Sequence, residues 1–147
     1  MKALHSLFWL PAREKYLLAK AVLVLCAVRL ALWLVPFRVL RQLLLKVRRR
    51  TVGVERPTSY SIDRISWALR LCSQHLAAPT CLTQALAAML LLKHVGHEAD
   101  LRIGVAKDEG GRLQAHAWVE SNGKIVVGRI TGLSHFTVLS SPDEDPF

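Results

Sequence analysis

The spacing of the apolar residues changes once along the chain, close to Gly96. Before this point, apolar side chains recur every three or four residues, as on one face of a helix. After it, they alternate with polar side chains, as in a strand. Gly110-Gly111 and Asn122-Gly123 separate the alternating segments, and the second pair is a strong signal for a two-residue hairpin. The sequence therefore predicts an α+β fold, with helices first and a small antiparallel sheet after them.

The predicted sheet is built from short segments with period two. Strands are expected near residues 100–105, 113–120 and 124–129, and a further edge strand over residues 136–139. In the second strand, Leu113, Ala115, Ala117 and Val119 form an apolar face. The opposite face of that strand carries Gln114, His116, Trp118 and Glu120.

Two helices that meet at Pro36 are predicted at the start of the chain, the first over residues 13–35. Lys20 and Arg29 interrupt this apolar helix. Its longest uncharged run, residues 21–28, is shorter than the roughly 18 apolar residues of a membrane span. We expect a buried helix whose cations reach solvent, with contact at a membrane surface as the alternative.

Positive charge is concentrated in the first fifty residues, which hold eleven basic residues and one acidic residue. The remaining residues hold nine basic and ten acidic ones. Such a segment can bind an acidic peptide or an anionic membrane, or it can simply keep apolar helices soluble. Arg38, Arg41 and Lys46, on the polar side of the second helix, are the candidates for binding a partner.

Cys81 and His116 are the candidate catalytic residues. Thr80 is a suitable N-cap, which places Cys81 at the first position of a helix over residues 81–95. A helix start favours the thiolate form of a cysteine, and a nearby imidazole can take its proton. The free N–H groups of the same helix start can bind an oxyanion. Together these groups indicate acyl transfer, although singly Cys81 also fits a structural cysteine and His116 an ordinary strand residue.

The order and spacing of these motifs resemble one family over most of residues 61–139. The chain is similar to the transglutaminase-like leader peptidase of lasso-peptide biosynthesis. The motifs are Cys81-Leu82-x-x-Ala85-Leu86 before a leucine-rich helix, Gly104-Val105, Ala115-His116-Ala117-Trp118-Val119-Glu120, and Gly123. The resemblance implies a papain-like cysteine hydrolase, in which a central helix that carries the cysteine packs on the sheet. It also implies that Cys81 is the nucleophile and His116 the general base and acid.

The same resemblance implies partners in a bacterial pathway. The enzyme would remove the leader from a ribosomally made precursor peptide, which a small winged-helix (PqqD-like) leader-recognition protein delivers and a macrolactam-forming cyclase then closes. No cofactor, metal or nucleic acid is expected, since no metal-ligand set or phosphate-binding glycine loop occurs. Three cysteines without a C-x-x-C pair favour a reducing, cytoplasmic compartment.

The third member of the family's Cys-His-Asp set has no counterpart, because the position near Gly128 lacks an acid. Glu120 shares the face of His116 but lies roughly 13 Å along the strand. Pairing about the Asn-Gly turn predicts Arg129 opposite His116. A backbone carbonyl, Gln114 or an acid of the C-terminal tail is left to orient the imidazole. A second function therefore stays open: a weak or inactive scaffold that binds the precursor or its partner proteins.

Two more residues are candidates for the site. Papain-like enzymes often place an oxyanion-hole glutamine upstream of the nucleophile, and Gln74 precedes Cys81 by seven residues. A solvated helix residue is the favoured alternative for Gln74. Trp118 is a candidate for a wall of the site, and Cys72, on the apolar face of a helix over residues 61–77, is expected in the core.

The chain is accordingly divided into three parts. A basic, apolar helical segment and its linker cover residues 1–58, the cysteine hydrolase core covers residues 59–139, and a loose acidic tail covers residues 140–147.

Overall fold

A computed structural model of the chain describes residues 10–36, 38–39, 42, 60–75 and 80–139. The predictions for most of the second helix, for the linker and for the acidic tail lie outside these residues. So do two of the three partner-binding candidates, Arg41 and Lys46.

Three helices and a four-stranded antiparallel sheet form the described part of the chain, which confirms the predicted α+β class. The helices are α1 Ala12–Leu34, α2 Ile62–His75 and α3 Cys81–His94. The strands are β1 Asp100–Lys107, β2 Leu113–Ser121, β3 Lys124–Val127 and β4 Thr137–Leu139, with a 3₁₀ turn at Leu133–His135. The strand order is β3-β2-β1-β4, so the predicted edge strand pairs with β1.

The central helix α3 begins and ends where the sequence predicts. The Thr80 hydroxyl accepts a hydrogen bond from the Thr83 N–H at 3.3 Å and caps the helix at its start. Gly96 has a φ of 87°, and the N–H of His97 donates to the carbonyl of Leu92 at 3.0 Å. This is the glycine-terminated arrangement that satisfies the last carbonyls of a helix. The α3 helix contacts α1, α2 and the sheet, and most of its side chains are buried.

The α1 helix is buried on one face only, whereas the sequence predicts a buried helix. Its buried residues are Leu17, Leu18, Ala21, Leu25 and Val28. The helix is long and apolar enough to cross a membrane. In its 18-residue apolar stretch, 28% of the residues are buried inside the protein. Apolar residues are distributed nearly uniformly around the axis of this helix. The face opposite the core is therefore apolar as well, and it is exposed.

Polar contacts also hold α1 against its neighbours within the described residues. The Arg64 guanidinium pairs with the Glu14 carboxylate at 2.6 Å, and the Tyr60 hydroxyl donates to the Arg13 carbonyl at 2.8 Å. The Cys72 thiol donates to the Leu18 carbonyl at 3.7 Å. Cys72 is buried, as its place on the apolar face of the helix predicts.

The register of β3 differs from the prediction. Asn122 and Gly123 both have positive φ, 50° and 72°, which is the conformation of a tight hairpin turn. A bulge then shifts the pairing by one residue, so that Val119 faces Val127. The strand ends there, and Arg129 lies beyond it instead of pairing with His116.

The two faces of β2 also differ from the prediction. Leu113 and Ala115 are exposed, because they lie at the hairpin end of the strand, and only Ala117 and Val119 of the apolar face reach the core. Trp118, on the opposite face, is 3% exposed. It is covered there by neighbouring side chains on the sheet.

Candidate active site

One cleft of about 1120 Å³ is lined by both Cys81 and His116. Its walls are one side of α2, the start of α3, His116 on β2, and residues 124–130. Cys81 is the first residue of α3 and is partly exposed, so its thiol lies where the unpaired N–H groups of the helix start meet the cleft. The sequence places these two residues 35 positions apart, and the packing of α3 against β2 places them at the same cavity.

His116 is held by a backbone carbonyl. Its Nε2 donates a hydrogen bond to the carbonyl oxygen of Gly128 at 2.7 Å. A carbonyl can only accept, so this bond fixes the proton on Nε2 and leaves Nδ1 as the basic nitrogen of the neutral ring. The orienting group therefore occurs at the position where the family resemblance implies an acid, and it is a main-chain oxygen.

The conformation of Gly128 explains why a carbonyl is presented there. Its φ is 87°, which L side chains rarely adopt. A Cβ at this position would lie 2.7 Å from the Ala117 carbonyl oxygen and 2.9 Å from the Trp118 Cα. Both are backbone atoms, which cannot move aside as a side chain can. A glycine is therefore required, and an aspartate in the same backbone conformation is excluded by this contact.

Two aromatic rings lie beside the imidazole. The Trp118 ring is stacked on His116, with centroids 6.3 Å apart and an angle of 17° between the planes. The Phe136 ring lies 5.9 Å away at 57°. A Cβ at Gly104 would be 2.9 Å from the Trp118 ring, so this glycine makes room for the indole. Trp118 thus packs beside His116 within the sheet and is not one of the residues that line the cleft.

The Glu120 carboxylate binds two side chains other than His116. One of its carboxylate oxygens accepts a hydrogen bond from the Trp118 Nε1 at 2.9 Å, and the other pairs with Arg102 at 3.4 Å. Gln114 is exposed on β2 and is not among the residues that line the cleft. Of the orienting groups that the sequence leaves open and that the described residues contain, the backbone carbonyl is the one that contacts His116.

The α2 helix supplies a wall of the cleft that sequence reasoning missed. Asp63, Trp67, Arg70 and Gln74 line it together, at spacings of four, three and four residues. Gln74 therefore lines the same cleft as Cys81, and its candidate role as an oxyanion donor stays a prediction. The signal for this wall was the polar face of α2, opposite the apolar face that contains Cys72.

Of the three partner-binding candidates, Arg38 lies within the described residues, and it is not among the residues that line the cleft. Arg38 is helical and exposed. No group of three or more histidine, cysteine or carboxylate side chains within the described residues is placed to hold a metal ion. Burial raises the pKa of the Cys72 thiol, which is the property of a structural cysteine.

Comparison with known proteins gives one match. A family model described as the transglutaminase-like superfamily matches residues 22–141, which include α2, α3, the whole sheet and much of α1. No curated protein and no solved structure matches the chain.

Proposed function

Since this chain belongs to the transglutaminase-like superfamily, we propose that it is a cysteine peptidase with Cys81 as nucleophile and His116 as general base and acid. Its proposed substrate is the precursor of a lasso peptide, from which it removes the leader. The observation that carries the proposal is the cleft shared by a thiol at a helix start and an imidazole with an oriented ring.

The proposed reaction proceeds through a thioester. The Nδ1 atom of His116 takes the thiol proton, and the Cys81 sulfur attacks the carbonyl carbon of the scissile amide. The oxyanion is bound by backbone N–H groups at the start of α3, where Thr80 already occupies the N–H of Thr83. His116 then protonates the amine as the carbon–nitrogen bond breaks. A water molecule then loses a proton to His116 and its oxygen attacks the thioester carbon. The carbon–sulfur bond breaks, the acid is released, and His116 returns the proton to the sulfur.

The cleft suits an extended peptide more than a small metabolite. Its volume lies above the usual range of small-molecule sites, and α2 lines it from Asp63 to Gln74. Trp67 offers an apolar surface, and Arg70, Lys124 and Arg129 outnumber the single carboxylate among the lining residues, Asp63. These cations favour an acidic segment of substrate. A winged-helix leader-recognition protein would deliver that segment, and a cyclase would act on the released core.

The direct test is cleavage by a Cys81→Ala variant. The protein is incubated with the precursor and the leader-recognition protein, and the leader and core are detected by mass spectrometry. We expect Cys81→Ala to abolish cleavage without changing the melting temperature, because a partly exposed first-turn side chain contributes little packing. The control is Cys26→Ala, which removes an exposed cysteine of α1 and should cleave normally. Cleavage that survives in Cys81→Ala rules out this mechanism.

A second function, a scaffold that binds the precursor without cutting it, is motivated by the carbonyl that replaces the family's acid. A neutral oxygen stabilises an imidazolium less than a carboxylate does. Alkylation by iodoacetamide at near-neutral pH separates the two functions. In a peptidase, Cys81 reacts faster than the exposed Cys26, and His116→Gln removes the difference. If Cys81 is alkylated no faster than Cys26, and the His116→Gln substitution does not change its alkylation rate, the scaffold function is favoured.

A further inference from the structure

The α1 helix has an exposed apolar face, which we define as Tyr16, Leu23, Leu30, Trp33 and Leu34. Helical geometry places these residues on one side, opposite the face that packs in the core. Leu23 is 69% exposed and Trp33 is 81% exposed. Alanines and Cys26, also exposed, fill the gaps between the larger side chains, so the face is continuous along the helix.

Cations border this apolar face on both sides. Arg13 and Lys20, seven residues apart, lie along one edge, and the Lys20 ammonium is 6.0 Å from the centre of the Tyr16 ring. Lys15 and Arg29 lie along the other edge. The acidic residue of α1, Glu14, faces inward and is paired with Arg64. The border of the face is therefore positive, in a segment of fifty residues that holds eleven basic residues and one acidic one.

We propose that this face of α1 docks the protein on the surface of an anionic lipid bilayer, with the helix lying in the plane of the interface. In this orientation the exposed apolar side chains enter the acyl boundary, and the cations on either side of them meet the lipid headgroups. Tyr16 and Trp33 stand near the two ends of the helix, and these aromatic side chains favour the headgroup region.

Charge distinguishes a bilayer from a second copy of the chain. Two copies that met through this face would bring their rows of cations together, and like charges across an interface oppose association. An anionic surface instead neutralises both rows at once. The observations therefore favour lipid over self-association.

The helix lies on the membrane and does not cross it. Its inward face contributes Ala21 and Leu25 to the core, both almost fully buried, and its start is fixed by the Glu14–Arg64 pair. A spanning helix would have to leave these contacts. The residues that line the cleft include none from α1, so among the described residues docking leaves the entrance to Cys81 uncovered. This inference does not depend on the proposed peptidase activity.

Vesicle co-sedimentation of the full-length protein tests the proposal. We expect binding to vesicles of phosphatidylcholine with phosphatidylglycerol, weaker binding as ionic strength rises, and little binding to phosphatidylcholine alone. Leu23→Gln combined with Trp33→Gln should lower the partition coefficient by about tenfold or more, since apolar burial is lost. Leu113→Gln is the matched control, because it removes an equally exposed leucine from the sheet and should bind as wild type does.

The depth of the helix is tested with brominated lipids. We expect Trp33 to be quenched by bromines near the headgroups, and Trp33→Phe to keep binding while this quenching disappears. Equal binding of wild type and the double variant, or no binding to anionic vesicles at low salt, overturns the proposal. Quenching strongest at the bilayer centre would indicate a spanning helix. A dimer that the double variant converts to a monomer, without vesicle binding, would identify a protein interface.

Discussion

At the scale of single residues, the position of Gly128 determines how His116 is held. Sequence reasoning shows that no acid stands there, and the structure shows why none fits. The residue has a positive φ and lies in contact with the backbone of β2, and its carbonyl accepts a hydrogen bond from the imidazole N–H. The backbone conformation that presents the carbonyl to His116 leaves no room for a carboxylate side chain at residue 128. The same local geometry therefore provides the carbonyl and excludes the acid.

We predict that Gly128→Ala lowers both stability and cleavage. The new Cβ meets the Ala117 carbonyl, and strain of this kind costs about 1–3 kcal/mol. Displacement of the Gly128 carbonyl also releases the Nε2 of His116. Cleavage kinetics and urea denaturation measure the two effects.

The matched control for Gly128→Ala is Gly111→Ala. Gly111 also has a positive φ, 77°, but a Cβ there meets no atom within 4 Å. The Gly111→Ala variant should lose only the stability that a positive φ costs a residue with a side chain, and it should cleave at the normal rate. Equal loss of cleavage in both variants would show that the Gly128 carbonyl has no special role.

At the scale of the elements, the start of α3 links folding to chemistry. The Thr80 cap stabilises the first turn and fixes the direction from which Cys81 enters the cleft. The Thr80 hydroxyl also contacts the hydroxyl of the buried Thr83 at 2.9 Å. One side chain therefore sets the geometry of the N–H groups and of the thiol.

We predict that Thr80→Ala costs about 1 kcal/mol of stability, the usual value of an N-cap. Because fraying of the first turn moves Cys81, cleavage should fall by more than the loss of folded protein explains. Chemical denaturation and cleavage at a temperature where the variant is fully folded measure these quantities. Thr80→Ser keeps the cap and should restore both. Normal cleavage by the Thr80→Ala variant would show that the N-cap does not affect the geometry of the candidate active site.

The contact between α1 and α2 predicts a pH dependence through Cys72. Burial raises the pKa of this thiol in the folded state, whereas in the unfolded chain it is about 8.5. The unfolded state therefore ionises first, and the contribution of the protonated thiol to stability is lost as pH rises from about 8.5 through the folded pKa. Wild type should lose stability over this range by up to about 1.4 kcal/mol per pH unit more than Cys72→Ala. Parallel curves of unfolding free energy for the two proteins would contradict this.

At the scale of the whole molecule, α1 and the other two helices share a single core. Leu25 of α1, Leu69 of α2 and Leu86 of α3 are all almost completely buried in it. The division into an N-terminal segment and a hydrolase core stays a prediction about the chain. In the described residues, however, α1 covers α2 and α3 and contributes to the same apolar interior.

We therefore predict that Leu25→Ala destabilises the whole domain. Removing a buried leucine side chain costs about 2–5 kcal/mol, and the loss should appear in one cooperative transition that includes the sheet. Leu86→Ala should cost a similar amount, and Leu23→Ala, on the exposed face, should change stability by less than about 0.5 kcal/mol. Circular dichroism and tryptophan fluorescence should report the same midpoint. Separate transitions for helix and sheet would show that α1 folds independently.

The helices, the strands and the candidate site residues can be read from the sequence alone. Apolar spacing gave the helices and strands, Thr80 and Gly96 gave the ends of α3, and residue types identified Cys81 and His116, because these signals are local to a few neighbouring residues. The bulge in β2 and β3, the carbonyl that holds His116 and the cleft wall from α2 were decided by tertiary structure. Each depends on which backbone atoms meet across elements far apart in the chain. The exposed side of α1 was decided in the same way, since a uniformly apolar helix carries no pattern that says which face the core will cover.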